Sequence, residues 1–213
     1  MIKRLFLLIL ISFPTFVLAT AQEPDTITIN AVELPLNTNP LEALIETKGW
    51  QPPEEASIWS SNWRGYIAKW EVVAGNLILK EASILLKEST FENPKRKSIL
   101  NDLALNQKNI IAKWYSGALI VPDGEMTEYV HMGYGSSYEN YQVLRIKHGI
   151  VIEHLSFTAE QFDSFKVRKF QSFKETEKFN IELNKLVNGK DKWLKEDAID
   201  FLQSFYAEYY LSI

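Results

Sequence analysis

Over residues 66–86 the chain reads YIAKWEVVAGNLILKEASILL, and this stretch decides the fold. Small or apolar residues alternate with other residues as far as Val73. The segment Ala74-Gly75-Asn76 follows, and residues 77–86 are again rich in apolar side chains. A period of two is typical of a strand with one buried face, and a short glycine-containing break is typical of a hairpin turn. The sequence therefore predicts an antiparallel hairpin here.

Further strands are predicted downstream of this hairpin, beginning at about Ile110. Residues 114–121 and 125–132 flank Pro122-Asp123-Gly124, whose residue types favour a turn. Residues 141–147 and 150–157 flank His148-Gly149 and form another predicted hairpin. Such short connections suit antiparallel neighbours, so we expect about six strands, mainly within residues 64–157.

The segment before residue 64 predicts two smaller elements. A short alternating piece within residues 26–36 is expected to add an edge strand. Asn39 and Pro40 then have the residue types of a helix cap and first helical position, and Gly49 ends the helix.

The last third of the chain has helical character. Thr158 and Gln161 have the spacing of a capping box, and phenylalanines recur at roughly helical intervals after them. Asp191 is predicted to cap a final helix after the break at Asn188-Gly189. The fold class expected from these patterns is α+β, with a largely antiparallel sheet and C-terminal helices packed on one face or edge of it.

The N-terminus has the composition of a secretory signal peptide. Lys3 and Arg4 precede an apolar run of about fourteen residues, too short for a bilayer span, and small residues follow. We expect cleavage between Ala21 and Gln22, which leaves one α+β domain over residues 22–213 without a transmembrane span. The predicted location is the periplasm or the medium.

Composition excludes several classes of function. Twenty-three basic residues face 27 acidic ones, a net charge of −4, so a nucleic-acid partner is not expected. With no cysteine, neither disulfides nor thiolate sites are possible. The three histidines lack a metal-ligand spacing, and no lysine or helix follows the glycines of residues 133–135, so we expect no metal and no cofactor.

Two dense polar and aromatic stretches are the candidate ligand-binding sites, residues 63–71 and 129–139. Their glycines permit close approach of a ligand to the backbone, although both stretches also fit ordinary sheet and loop structure. Glu71 is expected to pair with Lys69 in solvent, or alternatively with Arg64 or Arg145. The candidate ligand-binding residues are Arg64, Tyr66, Glu71, Tyr129, His131, Tyr134, Ser136, Tyr138 and Glu139.

The same two stretches carry a resemblance. Trp-Arg-Gly-Tyr-Ile-Ala-Lys-Trp-Glu at residues 63–71 and Tyr-Val-His-Met-Gly-Tyr-Gly-Ser at residues 129–136 resemble the signatures of a family of uncharacterised bacterial proteins. Members of that family often carry cysteine before the first signature, where this chain has Asn62. The resemblance implies relatedness and one sheet-containing unit, and it implies no catalytic mechanism.

Three functional hypotheses follow from the sequence. The first is a non-catalytic binding module for a peptide, glycan or envelope protein, with Arg64 and His131 in one neighbourhood. The second is a hydrolase of envelope polymers that uses paired carboxylates near Glu71 and Glu139. The third is a subunit of an envelope assembly. No catalytic residue is assigned.

Overall fold

The structure is a computed structural model, which describes residues 21–90, 92–103, 109–190 and 192–213. In this part of the chain it has an α+β fold with nine strands in one mixed sheet and five helices. The elements, in chain order, are β1 (Asp25–Ile29), β2 (Val32–Leu36), α1 (Glu42–Lys48), β3 (Ile67–Val73), β4 (Asn76–Leu85), β5 (Arg96–Ser98), β6 (Ile110–Ile111), β7 (Gly117–Glu128), β8 (Ser137–Lys147), β9 (Ile150–Thr158), α2 (Ala159–Lys174), α3 (Glu177–Asn188), α4 (Lys195–Phe205) and α5 (Ala207–Tyr210).

The sheet is strongly curved. Its strand order is β2-β1-β3-β4-β9-β8-β7, and β5 and β6 also pair with β4. The two end strands approach each other, because β2 contacts β7 and the Asn37 amide donates to the Ile120 carbonyl at 2.8 Å. The sheet thus has an inner and an outer face, and β7 and β8 contribute to both.

Alternating side chains of the strands build two hydrophobic cores. The inner core contains Trp70, Leu79 and Leu144, and α1 adds Leu44 and Ile45 to it. The outer core lies between the helices and the opposite face of β7 and β8. Its buried members are Ala118, Ile120, Tyr141, Val143, Phe162, Phe165, Phe170, Phe173, Phe179, Leu202, Tyr210 and Leu211.

Several sequence predictions are confirmed. The two predicted antiparallel hairpins are present: one is formed by β3 and β4, and the other by β8 and β9. Thr158 and Gln161 form the capping box of α2, and Gly49 ends α1 with φ +61°. The C-terminal helices pack on one face of the sheet, as expected for an α+β protein.

Other predictions about the sheet were wrong. The described residues form nine strands instead of about six. Within residues 26–36, β2 is an end strand as expected, but β1 is an interior strand that pairs parallel with β3 and antiparallel with β2. The parallel pair joins segments distant in sequence, so no local turn signal announces it. The sheet is consequently mixed.

Pro122-Asp123-Gly124 does not form a hairpin turn. β7 runs through it, with a register shift against β8 between Asp123 and Met126. Gly124 adopts φ +84° there, and the Glu139 carboxylate accepts a hydrogen bond from the Glu125 amide at 3.1 Å. Residues that favour a turn also favour a bulge, which needs the same glycine conformation.

The single final helix predicted from the sequence is divided into α4 and α5, with Tyr206 between them. Asp191, its predicted cap, lies outside the described residues, and α4 begins after Leu194. Nor do the described residues include positions 1–20 of the predicted signal peptide. None of the helices described has the length and apolar composition needed to cross a membrane.

Candidate functional site

The segment of residues 21–25 is held between two loops, the first loop (residues 57–65) and the second loop (residues 129–136). The Gln22 amide donates to the Gly133 carbonyl of the second loop at 3.0 Å. The Glu23 amide donates to the Ser61 carbonyl of the first loop at 2.7 Å. The two stretches singled out in the sequence are therefore joined through the start of the described chain.

A buried ion pair lies beneath this junction. The Arg64 guanidinium is 3.5 Å from the Asp25 carboxylate, and both side chains are excluded from solvent. Asp25 also accepts hydrogen bonds from the Ala68 amide at 3.0 Å and from the Trp70 indole at 3.1 Å. Burial raises the pKa of Asp25, and Arg64 and these hydrogen bonds oppose that rise.

Asn39 connects the ion pair to the second loop. Its side-chain oxygen accepts hydrogen bonds from Arg64 and from the Tyr134 hydroxyl, the latter at 2.9 Å. Burial raises the pKa of Tyr134 to about 12, so this phenol is neutral and donates. The prediction that Asn39 caps α1 and that Pro40 is its first residue was wrong. The helix begins at Glu42, and the Asn39 side chain accepts hydrogen bonds from Arg64 and Tyr134 instead.

Arg64 and Tyr66, two of the predicted ligand-binding residues, are both buried in the structure. Arg64 is buried and also donates to the Glu23 carbonyl at 2.9 Å, which ties the first loop to the N-terminal segment. Tyr66 belongs to the inner core, and its hydroxyl donates to the Glu42 carboxylate at 2.7 Å. Both side chains therefore make internal contacts with other parts of the protein.

The ion pairs predicted for Glu71 were wrong. Glu71 pairs with Lys80 of the neighbouring strand at 2.8 Å, whereas Lys69 lies 3.8 Å from Glu81. Arg145 pairs with Glu153 at 2.8 Å. Each of these pairs joins adjacent strands, a pairing that depends on sheet register.

Glu71 and Glu139 are not brought together. Glu71 lies near the β3–β4 turn, where Asn76 pairs with Ile150 at the start of β9. Glu139 precedes Asn140, which pairs with Thr158 at the far end of β9. Eight residues of strand separate these ends, roughly 26 Å at about 3.3 Å per residue, so these two do not form the carboxylate pair that a glycosidase mechanism requires.

The second loop presents side chains of mixed character. The Tyr129 hydroxyl and the His131 Nδ1 are 2.7 Å apart, and both side chains are exposed. Ser136 instead closes the loop, since its hydroxyl accepts from the Val130 amide at 3.1 Å. Half-buried Tyr138 packs against the outer core.

A groove of about 390 Å³ opens beside the N-terminal segment. Trp59 forms part of its wall with 43% of its surface exposed, and its indole N–H donates to the Ser57 hydroxyl at 2.6 Å. Glu23 and Arg96 form an ion pair at 3.1 Å within the lining. The lining residues are Ala21, Gln22, Glu23, Trp59, Ser61, Leu85, Thr90, Pro94 and Arg96.

Sequence reasoning missed the residues of this groove. Trp59 stands in the polar stretch Ser57-Ile58-Trp59-Ser60-Ser61, and a large aromatic among serines was the available signal. Glu23 and Arg96 are 73 positions apart, so nothing local pairs them.

Among the described residues there is no cluster of three or more His, Asp or Glu side chains placed to hold a metal ion. Comparison with protein-family models, curated proteins and solved structures finds no match to this chain. The resemblance of the two signature blocks therefore stays a prediction.

Proposed function

We propose that the protein is an exported, non-catalytic binding protein and that its ligand is a glycan held in the groove beside Trp59. One observation carries this proposal: an exposed indole lies in the wall of a groove whose other lining residues include five that are polar or charged. Small-ligand sites combine apolar walls with a few fixed polar groups in this way.

The chemistry of the groove suits a sugar. The flat indole face offers apolar area to the C–H face of a pyranose ring, while Ser61, Thr90 and the Glu23–Arg96 pair supply hydrogen-bonding groups for hydroxyls. The buried network of Asp25, Arg64 and Asn39 fixes the N-terminal segment, so the groove is preformed and little ordering is needed on binding.

Export rests on the leader of residues 1–21. Its basic head, short apolar run and small residues are those that signal peptidase recognises. Intact-mass measurement on protein secreted by the native machinery is expected to show a chain beginning at Gln22, which removes Ala21 from the lining of the groove.

The binding experiment uses two tryptophans of the same loop. Trp59 lines the groove, whereas Trp63, 63% exposed, does not. In pull-down and calorimetry with soluble envelope glycan fragments, Trp59→Ala is expected to weaken binding at least about tenfold, since stacked aromatic anchors dominate such sites. Trp63→Ala is the matched control and should bind like the wild type.

Two outcomes contradict the proposal. Equal binding by Trp59→Ala and the wild type would remove the groove from the site. Turnover of the glycan, seen as new reducing ends that accumulate with time, would show an enzyme instead of a binding protein.

A further inference from the structure

A second pocket, of about 190 Å³, lies between the C-terminal helices and the start of β7. It shares no residue with the groove, and half of its lining is aromatic. The lining residues are Ser116, Gly117, Phe205, Tyr206, Glu208 and Tyr209.

The aromatic walls are held in place from outside the pocket. Phe205 stacks on Phe201 with ring centroids 4.8 Å apart. The Tyr206 hydroxyl donates to Glu182 at 3.0 Å, and the Tyr209 ring lies 5.4 Å from that of buried Phe173. A ligand would therefore meet rings that are already oriented.

Glu208 is the charged group of this pocket, and it has no cationic partner among the described residues. Burial raises the pKa of its carboxyl, and a hydrogen bond from the buried Tyr115 hydroxyl opposes that rise. Gly117 leaves room for this arrangement, because a Cβ there would lie 2.8 Å from the Tyr115 hydroxyl and 3.3 Å from the Glu208 carboxylate. An ionised carboxylate buried without a counter-ion is costly, and a bound cation would offset that cost.

We propose that this pocket binds an organic ammonium group, with Glu208 as its counter-ion and Phe205, Tyr206 and Tyr209 as an aromatic cage. Aromatic faces attract cations through the ring quadrupole, and desolvation strengthens that attraction. A pocket of this size holds a small ammonium ion or the head of a larger amine. The ring faces and an ionised Glu208 disfavour an anion, although the Lys178 ammonium lies 5.9 Å from the centroid of the Tyr209 ring.

The experiment is calorimetric titration of the mature protein with tetramethylammonium chloride, with tert-butanol as an uncharged probe of similar shape. The wild type should bind the cation saturably and tert-butanol at least about tenfold more weakly. Glu208→Gln keeps the shape of the side chain and should weaken cation binding by about tenfold or more. Glu196→Gln, at an exposed carboxylate of α4, is the matched control and should leave binding unchanged.

Phe205→Ala tests the cage independently of the carboxyl. This side chain is 65% exposed, so its removal should leave the fold intact and weaken cation binding about threefold or more. Absence of saturable binding by the wild type overturns the proposal. So does equal affinity for the cation and tert-butanol, or wild-type affinity in both Glu208→Gln and Phe205→Ala.

Discussion

Asp25 and Arg64 show how a single buried pair can organise a surface that neither residue reaches. Arg64 contacts Asp25, Asn39 and the Glu23 backbone, so one guanidinium connects β1, the segment before α1 and the N-terminal segment. Buried pairs add little net stability over apolar substitutes, but loss of one partner leaves an uncompensated charge.

Arg64→Met is therefore expected to lower the free energy of unfolding by about 3–5 kcal/mol, measured by urea denaturation. Arg96→Met is the matched control, since its pair with Glu23 is exposed to solvent and should contribute less than about 1 kcal/mol. Similar losses from the two substitutions would show that burial of the Arg64 pair has no special energetic role.

For individual residues, the sequence identified the important stretches of chain more accurately than it predicted the role of each residue within them. Arg64 and Tyr134 were both named as site residues, and the structure joins them through Asn39. The sequence alone could not show that Arg64 faces inward, because its partner Asp25 lies 39 positions away, in β1. Trp59 was missed because a lone aromatic in a loop has no periodicity to mark its exposure.

Among the elements, α3 and the α4–α5 junction are joined by a carboxylate. Glu182 of α3 is buried and accepts hydrogen bonds from Lys178, Lys185 and the Tyr206 hydroxyl. These hydrogen bonds lower the pKa of Glu182 to about 2, because together they outweigh the effect of burial. The bond from Lys178 makes the largest contribution, and those from Lys185 and Tyr206 add to it. The anion is thus favoured in the folded state.

This shift predicts a defined dependence of stability on pH. The folded-state pKa lies below the ordinary value of 4.5, so the stabilisation is complete above that pH and is lost as pH falls toward about 2. The difference in unfolding free energy between the wild type and Glu182→Gln should shrink over that interval, by at most about 3 kcal/mol.

Glu88→Gln serves as the control for this titration, because Glu88 also pairs with a lysine, Lys95, but is largely exposed. Its difference from the wild type should be small at every pH. A Glu182→Gln difference that stays constant through the acid range would show that the helix junction does not depend on the ionised carboxylate.

Elements with local signals were predicted well, and those that depend on distant partners were not. The β3–β4 and β8–β9 hairpins and the α2 capping box each have their determining residues within a few positions. The parallel pairing of β1 with β3 joins residues more than 40 positions apart, as in Ile27 with Trp70. The bulge in β7 was taken for a turn because both conformations select glycine.

The whole molecule has two hydrophobic layers that share a wall. Leu119 and Leu144 of β7 and β8 face the inner core, whereas Ile120 and Val143 of the same strands face the helices. Because both layers depend on the same two strands, the molecule should unfold as one cooperative unit.

Phe173→Ala tests this cooperativity. Phe173 is fully buried in the outer core and contacts the rings of Phe179 and Tyr210, so truncation should cost about 3–5 kcal/mol. Helical circular dichroism and tryptophan fluorescence should still change in a single transition at lower denaturant. The control Phe205→Ala, at an exposed ring, should cost less than about 1 kcal/mol.

Separate transitions of the two signals in Phe173→Ala would contradict the shared-wall account. That result would mean that the sheet survives loss of the helices, with the outer face of β7 and β8 open to water.

The position of Gln22 between the first and second loops has a practical consequence for work with recombinant protein. An affinity tag fused directly ahead of Gln22 would begin at the groove that Gln22 lines, where its side chains would compete with the proposed glycan ligand. Histidine tags placed there are expected to give false negatives in glycan arrays. The tag should therefore be followed by a protease site whose cleavage makes Gln22 the first residue of the protein.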